Sequence, residues 1–347
     1  MSATELTSST ESLPSAQVSA AQRWSRPTLA ALIVGALMLV FLPLFVTNPS
    51  HLNLVILMLM AAQIGVAWNI LGGYAGQISL GHAAFYGVGA YGSVLLFTKF
   101  GVNPWIALPA SALIAAVLSL PVGWSCFRLK GHYFAMATIA VADIVQIVFS
   151  NWEFAGASVG LNLPMSEQGW STLIFADKAP YFYLALGLLA LTLLANWLIV
   201  NSYVGFYLRA IKDEPDAARS LGVSLTLYKQ LAFAVSSFFA ALGGGLYAFK
   251  ELYIDPASVL STGLSIKMAL VSILGGVGTL FGPVVGAALL TLIEESTRVL
   301  LGGTGSGIDL IVYSLLIVVI AVYYPRGVVG WITEFMARRR AGRGDKS

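Results

Sequence analysis

LSIKMALVSILGGVGTLFGPVVGAALLTLIEEST, residues 264–297, is apolar over most of its length and too long for one membrane crossing. As a single helix it would reach about 51 Å at 1.5 Å per residue, against a hydrocarbon core of about 30 Å. Its middle, GGVGTLFGP at 275–283, combines four glycines with a proline, and both residue types punctuate helices. The spacing predicts two shorter helices, about 264–275 and 281–297, meeting at an irregular turn.

Composition explains why a membrane is the frame for that reading. The 347 residues are 58% hydrophobic and 10% charged, with a mean hydropathy of +0.82. A soluble domain carries about 25% charged residues. So few charges cannot cover a water-facing surface, whereas lipid tails accept apolar side chains. Working outward, further spans are predicted at about 28–46, 52–71, 78–97, 105–127, 133–150, 181–200, 230–249 and 308–324. Residues 1–22 are polar and lack Lys and Arg. They have neither the basic start nor the apolar core of a signal peptide and read as a disordered cytoplasmic tail.

Basic residues concentrate in cytoplasmic loops. Most of the 19 here fall at Arg23 and Arg26, at Arg128 and Lys130, at Arg209, Lys212, Arg219 and Lys229, and from Arg326 to Lys346. If all four groups are cytoplasmic, an even number of crossings separates each pair. Between Lys229 and Arg326 that parity requires the break in 264–297. The expectation is an all-α polytopic membrane protein of about ten transmembrane helices, both termini inside. A permease domain would span 23–331, with a cytoplasmic loop at about 205–229 and a basic tail at 332–347. Seven glycines in GGYAGQISLGHAAFYGVGAYGS, 72–93, mark a second break. Gly278, Gly282 and Gly286 recur every four residues, a spacing that lets neighbouring helices approach closely. A glycine turn followed by a Gly-Ala helix occurs in both regions (GVGAYGSVLL, VVGAALLTLI) and suggests a weak internal repeat.

Chemistry is bounded by what is missing. There is no G-x-x-x-x-G-K-[ST] phosphate loop, no zinc-ligand spacing and no nucleophile elbow. One cysteine, Cys126, permits no internal disulfide, and His51, His82 and His132 form no ligand-spaced pair. No catalytic residue, cofactor, metal or nucleic-acid partner is expected. Polar residues within spans are the default pathway candidates: Asn69, Gln77, Ser79, His82, Thr138 and Asp143, with Lys267 near the outer end of its span. Asp143, the only acid well inside a predicted span, could accept a substrate ammonium, and exposed turn backbone could bind a carboxylate. Interhelical hydrogen bonding, with Lys267 snorkelling to the interface, is the structural alternative. The mixed-sign stretch YLRAIKDEPDAARSLGVSLTLYKQLAF, 207–233, holds a short helix with a small apolar side (Ala217, Ala218, Leu221, Gly222) that glycine ends. Such a helix can lie in a groove of a cytoplasmic partner.

RAIKDEPDAARSLGV, 209–223, resembles the cytoplasmic coupling loop of permeases of branched-chain amino-acid ABC importers, roughly R-A-[IL]-[RK]-x-[DE]-E-x-A-A-x-x-L-G-[IV]. NILGGYAGQISLGHAAFYGVGAY (69–91) and RLKGHYFAMATIAVADI (128–144) are similar to the same family, the second to the longer of its two paired permeases. AFAVSSFFAALGGGLYAF (232–249), ILGGVGTLFGPVVGAALL (273–290) and YYPRGVVG (323–330) resemble its later helices. The likeness runs in order from about 52 to 331. It implies a partner set of a second related permease, two cytoplasmic ATPase subunits and a periplasmic binding protein, with membrane lipid around them in a bacterial inner membrane. It also implies ATPase coupling through Arg209, Lys212, Asp213, Glu214, Ala217, Leu221 and Gly222. Leu, Ile and Val are the implied substrates; urea and short amides are carried by close relatives. An ion-coupled secondary transporter is the alternative class. AGASVGL at 155–161 departs from the family's T-G-G, Asp143 stands where Glu is frequent, and Pro215 interrupts the coupling stretch.

Overall fold

The structure is a computed structural model and describes residues 40–43, 45, 48–129, 131–164, 168–300, 315 and 327. Before Val46, where a separate unit ends, the described residues 40–43 and 45 are helical. The tails expected at 1–22 and 332–347, most of the span at 28–46 and all of that at 308–324 but residue 315 lie outside the described residues.

From Pro49 onward the chain is helical with short interruptions. Helix α1 (Pro49–Asn69) continues into a π-helical turn, Ile70–Tyr74. Then come α2 (His82–Phe100), α3 (Pro104–Cys126), α4 (His132–Asn151), α5 (Ala179–Val200), α6 (Tyr203–Asp213), α7 (Pro215–Ser220), α8 (Leu225–Glu251), α9 (Pro256–Val259), α10 (Thr262–Gly275) and α11 (Gly282–Leu300). Among the described residues there are two short strands, β1 (Leu161–Asn162) and β2 (Tyr253–Ile254), paired antiparallel. Local signals set the starts. Asn48 caps Ser50 N and Asn103 caps Trp105 N, both at 2.9 Å, each ahead of a proline at the first helical position, where the missing N–H is not needed.

Among the described residues, six stretches are long and apolar enough to cross a membrane: Pro49–Tyr74, Pro104–Cys126, His132–Asn151, Ala179–Val200, Leu225–Glu251 and Pro256–Gly275. The chain is an all-α polytopic membrane protein. The break in 264–297 is present, because α10 ends at Gly275 and α11 starts at Gly282. Two expectations change. The helix expected as the third span, 78–97, begins at His82 and is not among those six stretches; 75–81 is irregular and turns at Gly76, φ +66°. Gly278 does not continue a helix face with Gly282 and Gly286. It precedes α11 at φ +79°, a backbone state that favours glycine.

Helices α1 and α8 form the buried centre. Helix α1 packs on α5, α8, α10 and α11, and α8 packs on α2 and α3. Glycines make the closest crossing. A Cβ on Gly244 would strike the Tyr86 carbonyl, and one on Gly89 would strike Ala241. In lipid, helices associate by such packing and by hydrogen bonds rather than by excluding water. Aromatic rings fill the centre: Phe85 meets Phe233 edge-on at 5.1 Å, and Phe127 stacks on Phe134 at 5.2 Å.

Candidate functional site where two helix breaks meet

The first break follows Asn69. Two glycines, Gly72 and Gly73, lie in the π-helical turn, a form concentrated at functional positions. The second break, 276–281, joins α10 to α11. Thr279 organises it: its hydroxyl donates to the Gly276 carbonyl at 2.8 Å and accepts from Gly282 N at 3.1 Å.

Asn69 binds the two breaks together. Its Nδ2 donates to the Thr279 carbonyl and its Oδ1 accepts from Gly278 N, both at 2.9 Å. A side-chain amide that bonds N–H and C=O groups of another segment replaces the helical partners that segment lost at its break. Gly73 lies against this contact, since a Cβ there would overlap the Asn69 amide and crowd Gly278 N. Gly327, φ +70°, packs on Gly275 and Gly276 from the other side.

Lys212 of α6 reaches the same point. Its Nζ donates to the Gly73 carbonyl at 2.9 Å, one of the unsatisfied carbonyls at a helix end, where a cation also suits the helix dipole. A Cβ on Gly76 would press on the Lys212 side chain. Asn69, Gly73, Gly278 and Lys212 thus form one junction between α1, α6 and the α10–α11 turn.

A second buried group lies beside it. His82 Nδ1 and Nε2 each lie 2.8 Å from a serine hydroxyl, of Ser79 and Ser236 respectively. Ser236 spends its single proton on the Ala67 carbonyl, 2.7 Å away, so it accepts from His82. The tautomer that fits carries its proton on Nε2 and accepts from Ser79 at Nδ1. Thr138 accepts from Leu80 N at 3.1 Å, fastening the irregular strand to α4. These residues stitch helices together. Gln77 is half-buried and bonds only locally, to the Ala75 carbonyl at 3.2 Å.

Asp143 belongs to neither group. It is exposed on α4 and accepts from the Thr262 hydroxyl at 2.8 Å. Lys267 pairs with Glu294 of α11 at 2.6 Å. Glu294 lies within α11, the fourth residue from the end of the span expected at 281–297 that α11 occupies. Ser236, Thr279, Thr262 and Glu294 escaped sequence reasoning. Their partners lie up to 210 residues away, and nothing in the local pattern signals a contact at that separation.

The mixed-sign segment is two helices, not one over 209–222. Pro215 starts α7 afresh after Asp213, since proline cannot continue the hydrogen-bond ladder of α6. Arg209 is turned to its own neighbourhood, donating to the carbonyls of Gly205 at 3.2 Å and Val200 at 3.1 Å. Ala218 is buried, whereas Asp213, Glu214, Ala217, Leu221 and Gly222 are exposed. Leu221 is 85% exposed, and Gly222 closes α7 at φ +84°. Among the described residues no group of three His, Cys, Asp or Glu side chains is placed to hold a metal ion.

Comparison with known proteins bears on this junction. The family described as branched-chain amino acid transport system, permease component, matches residues 50–322. The high-affinity branched-chain amino acid transport system permease protein LivM of Escherichia coli (strain K12) is 30% identical over 277 residues. That match covers 73% of this chain and 65% of the relative. LivM of Salmonella typhimurium is 29% identical with the same coverage, so the chain spans about two thirds of the length of these relatives. The permease protein LivH of the same transport system in Salmonella typhimurium is 24% identical over 78% of this chain and 91% of its own length. No solved structure matches significantly. Both helix breaks, Asn69, Lys212 and the α6–α7 segment lie inside the matched region, and the chain belongs to the permease-component family of branched-chain amino acid transport systems.

Proposed function

We propose that the chain is a membrane permease of an ABC importer that carries amino acids, Leu, Ile and Val first among them, across a bacterial inner membrane. It works beside a second related permease, two cytoplasmic ATPase subunits and a periplasmic binding protein. The ATPases hydrolyse ATP, and this chain catalyses nothing. It has about ten transmembrane helices, arranged as a weak repeat around the two breaks, with both termini cytoplasmic. The reading of the substrate rests on the family.

One observation carries the mechanism: Lys212, in the segment that resembles a coupling loop, holds a carbonyl of the first break, which Asn69 binds to the second. An ATPase pressing on exposed α7 moves α6. Helix α6 moves Lys212, and Lys212 pulls on both breaks together. Broken helices give way at their breaks, and substrate sites in transporters are built around them. Alternate opening of two gates then follows from a push at one surface. Arg209, Asp213, Glu214, Ala217, Leu221 and Gly222 act in docking and positioning; Asn69, Ser79, His82 and Thr138 hold the gate helices.

The test is uptake of a labelled panel (Leu, Ile, Val, other amino acids and urea) in a strain lacking the gene, complemented with wild type or Lys212→Ala. Wild type should restore branched-chain uptake. A hydrogen bond from a charged group contributes about 1.5–3 kcal/mol, so Lys212→Ala should slow uptake roughly tenfold or more at an unchanged membrane level. Uptake that persists without any ATPase subunit would refute the importer reading.

A further inference from the structure

Two outer faces of the chain differ in chemistry. Helix α3 exposes Ile106, Leu113, Ile114 and Val117 between Trp105 and Trp124. The two tryptophans lie about 28 Å apart at 1.5 Å per residue, close to the hydrocarbon thickness, and tryptophan is enriched at membrane interfaces. That is a lipid-facing helix. Helix α4 exposes a stripe of the same kind, Tyr133, Met136, Ala140 and Ile147, interrupted by Asp143. The interruption lies eight residues from Asn151, about 12 Å inside that end.

An ionisable side chain at that depth faces a bundle interior or a water-filled cavity, not lipid. A second observation, on other helices, agrees. Thr262 begins α10 at the depth of Asp143, to which it donates a hydrogen bond. About 7.5 Å further along α10, Lys267 pairs with Glu294, and both side chains remain partly open, at 32% and 44% exposure.

We propose that the α4–α10–α11 face is the water-filled wall of the translocation path and carries two successive sites for a zwitterionic amino acid. At the first, Asp143 accepts the substrate ammonium, with Thr262 holding the carboxylate in place. At the second, Lys267 and Glu294 offer one positive and one negative group, complementary to both ends of the zwitterion, and their pair re-forms when the substrate leaves. This rests on the chain being an amino-acid permease.

Cysteine accessibility tests it in the full-length chain within its assembled importer. Cys126→Ala removes the one native thiol. Met136→Cys and Ile147→Cys then probe the proposed wall, and Val117→Cys probes the lipid-facing control. A charged, water-borne methanethiosulfonate reacts with thiolate, which forms only where water reaches. The expected result is labelling of Met136→Cys and Ile147→Cys at least tenfold faster than of Val117→Cys, slowed by excess leucine. Asp143→Asn should cut leucine uptake at least tenfold with normal membrane level, and Asp143→Glu should restore much of it. Labelling at the rate of Val117→Cys, or normal uptake by Asp143→Asn, would overturn the proposal. Leucine uptake by the Cys126→Ala parent tests the permease reading separately: if the parent transports leucine while the wall stays unlabelled, only the wall fails.

Discussion

Asn69 uses both ends of its carboxamide on backbone left over at a helix break 210 residues away. Substitution by Leu keeps the volume and loses both bonds, leaving Gly278 N and the Thr279 carbonyl to find new partners. An unsatisfied buried backbone group costs about 1–3 kcal/mol, so Asn69→Leu should lower thermal stability in detergent and reduce uptake. Gly73→Ala should do the same by a different route, because its Cβ overlaps the Asn69 amide. Combining the two should cost less than the sum of their separate effects, since both damage one contact. Melting of the two single variants and the double variant checks this, and strict additivity would separate Gly73 from the Asn69 contact. Asn69 was legible in the sequence as a polar residue inside a span. Its role was not, because its partners are backbone atoms on a segment whose irregularity only the fold brings near. His82 shows the same limit: its identity and depth could be read, its serine partner on α8 could not.

At the scale of elements, breaks were easier to read than pairings. Glycine and proline act locally, so the turn between α10 and α11 and the end of α7 at Gly222 could be derived from neighbours in sequence. The expectation of a helix face through Gly278 failed because spacing alone cannot tell a glycine that lets helices approach from one that adopts positive φ, and the split of 209–222 at Pro215 was missed. The α6–α7 pair also decides which substitution tests docking. Bulk at Gly222 would strain its left-handed backbone as well as block a partner, and charge reversal at Arg209 would free the Val200 carbonyl it holds. Leu221 has neither complication, being 85% exposed. Interface energy concentrates in a few well-packed residues. Leu221→Asp should therefore abolish ATPase co-purification and cut uptake at least tenfold while membrane insertion and melting stay normal. Normal co-purification would remove α7 from the docking surface.

For the whole molecule, contacts between distant segments supply a test of sidedness that charge does not enter. Segments that touch at helix ends lie on one side of the membrane. Gly73 touches Lys212, and the intervening long helices are α2, α3, α4 and α5, an even number provided that α2, which is not among the six apolar stretches, also crosses. Gly278 joins the same junction through Asn69 after two more, α8 and α10. Strand β1, after α4, pairs with β2, after α8, with α5 and α8 between them, again even. With α2 crossing, an odd number of helices, α2, α3 and α4, separates Gly73 from β1, and we infer that the junction and the strand pair lie on opposite faces. Basic-residue clustering suggests the sides: we propose that Arg209, Lys212 and Arg219 place the junction in the cytoplasm, which makes β1–β2 periplasmic. A reporter active only in the periplasm should work when inserted near Gly169, between α4 and α5, and be silent when inserted at Ser220. A reporter active only in the cytoplasm should do the reverse. Activity of one reporter at both sites would mean that α5 does not cross, and it would undo the parity on which the ten-helix reading depends. Reversed activities would keep the crossings and invert the chain. That would put α7 out of reach of any cytoplasmic ATPase, and the coupling route through Lys212 would fail with it.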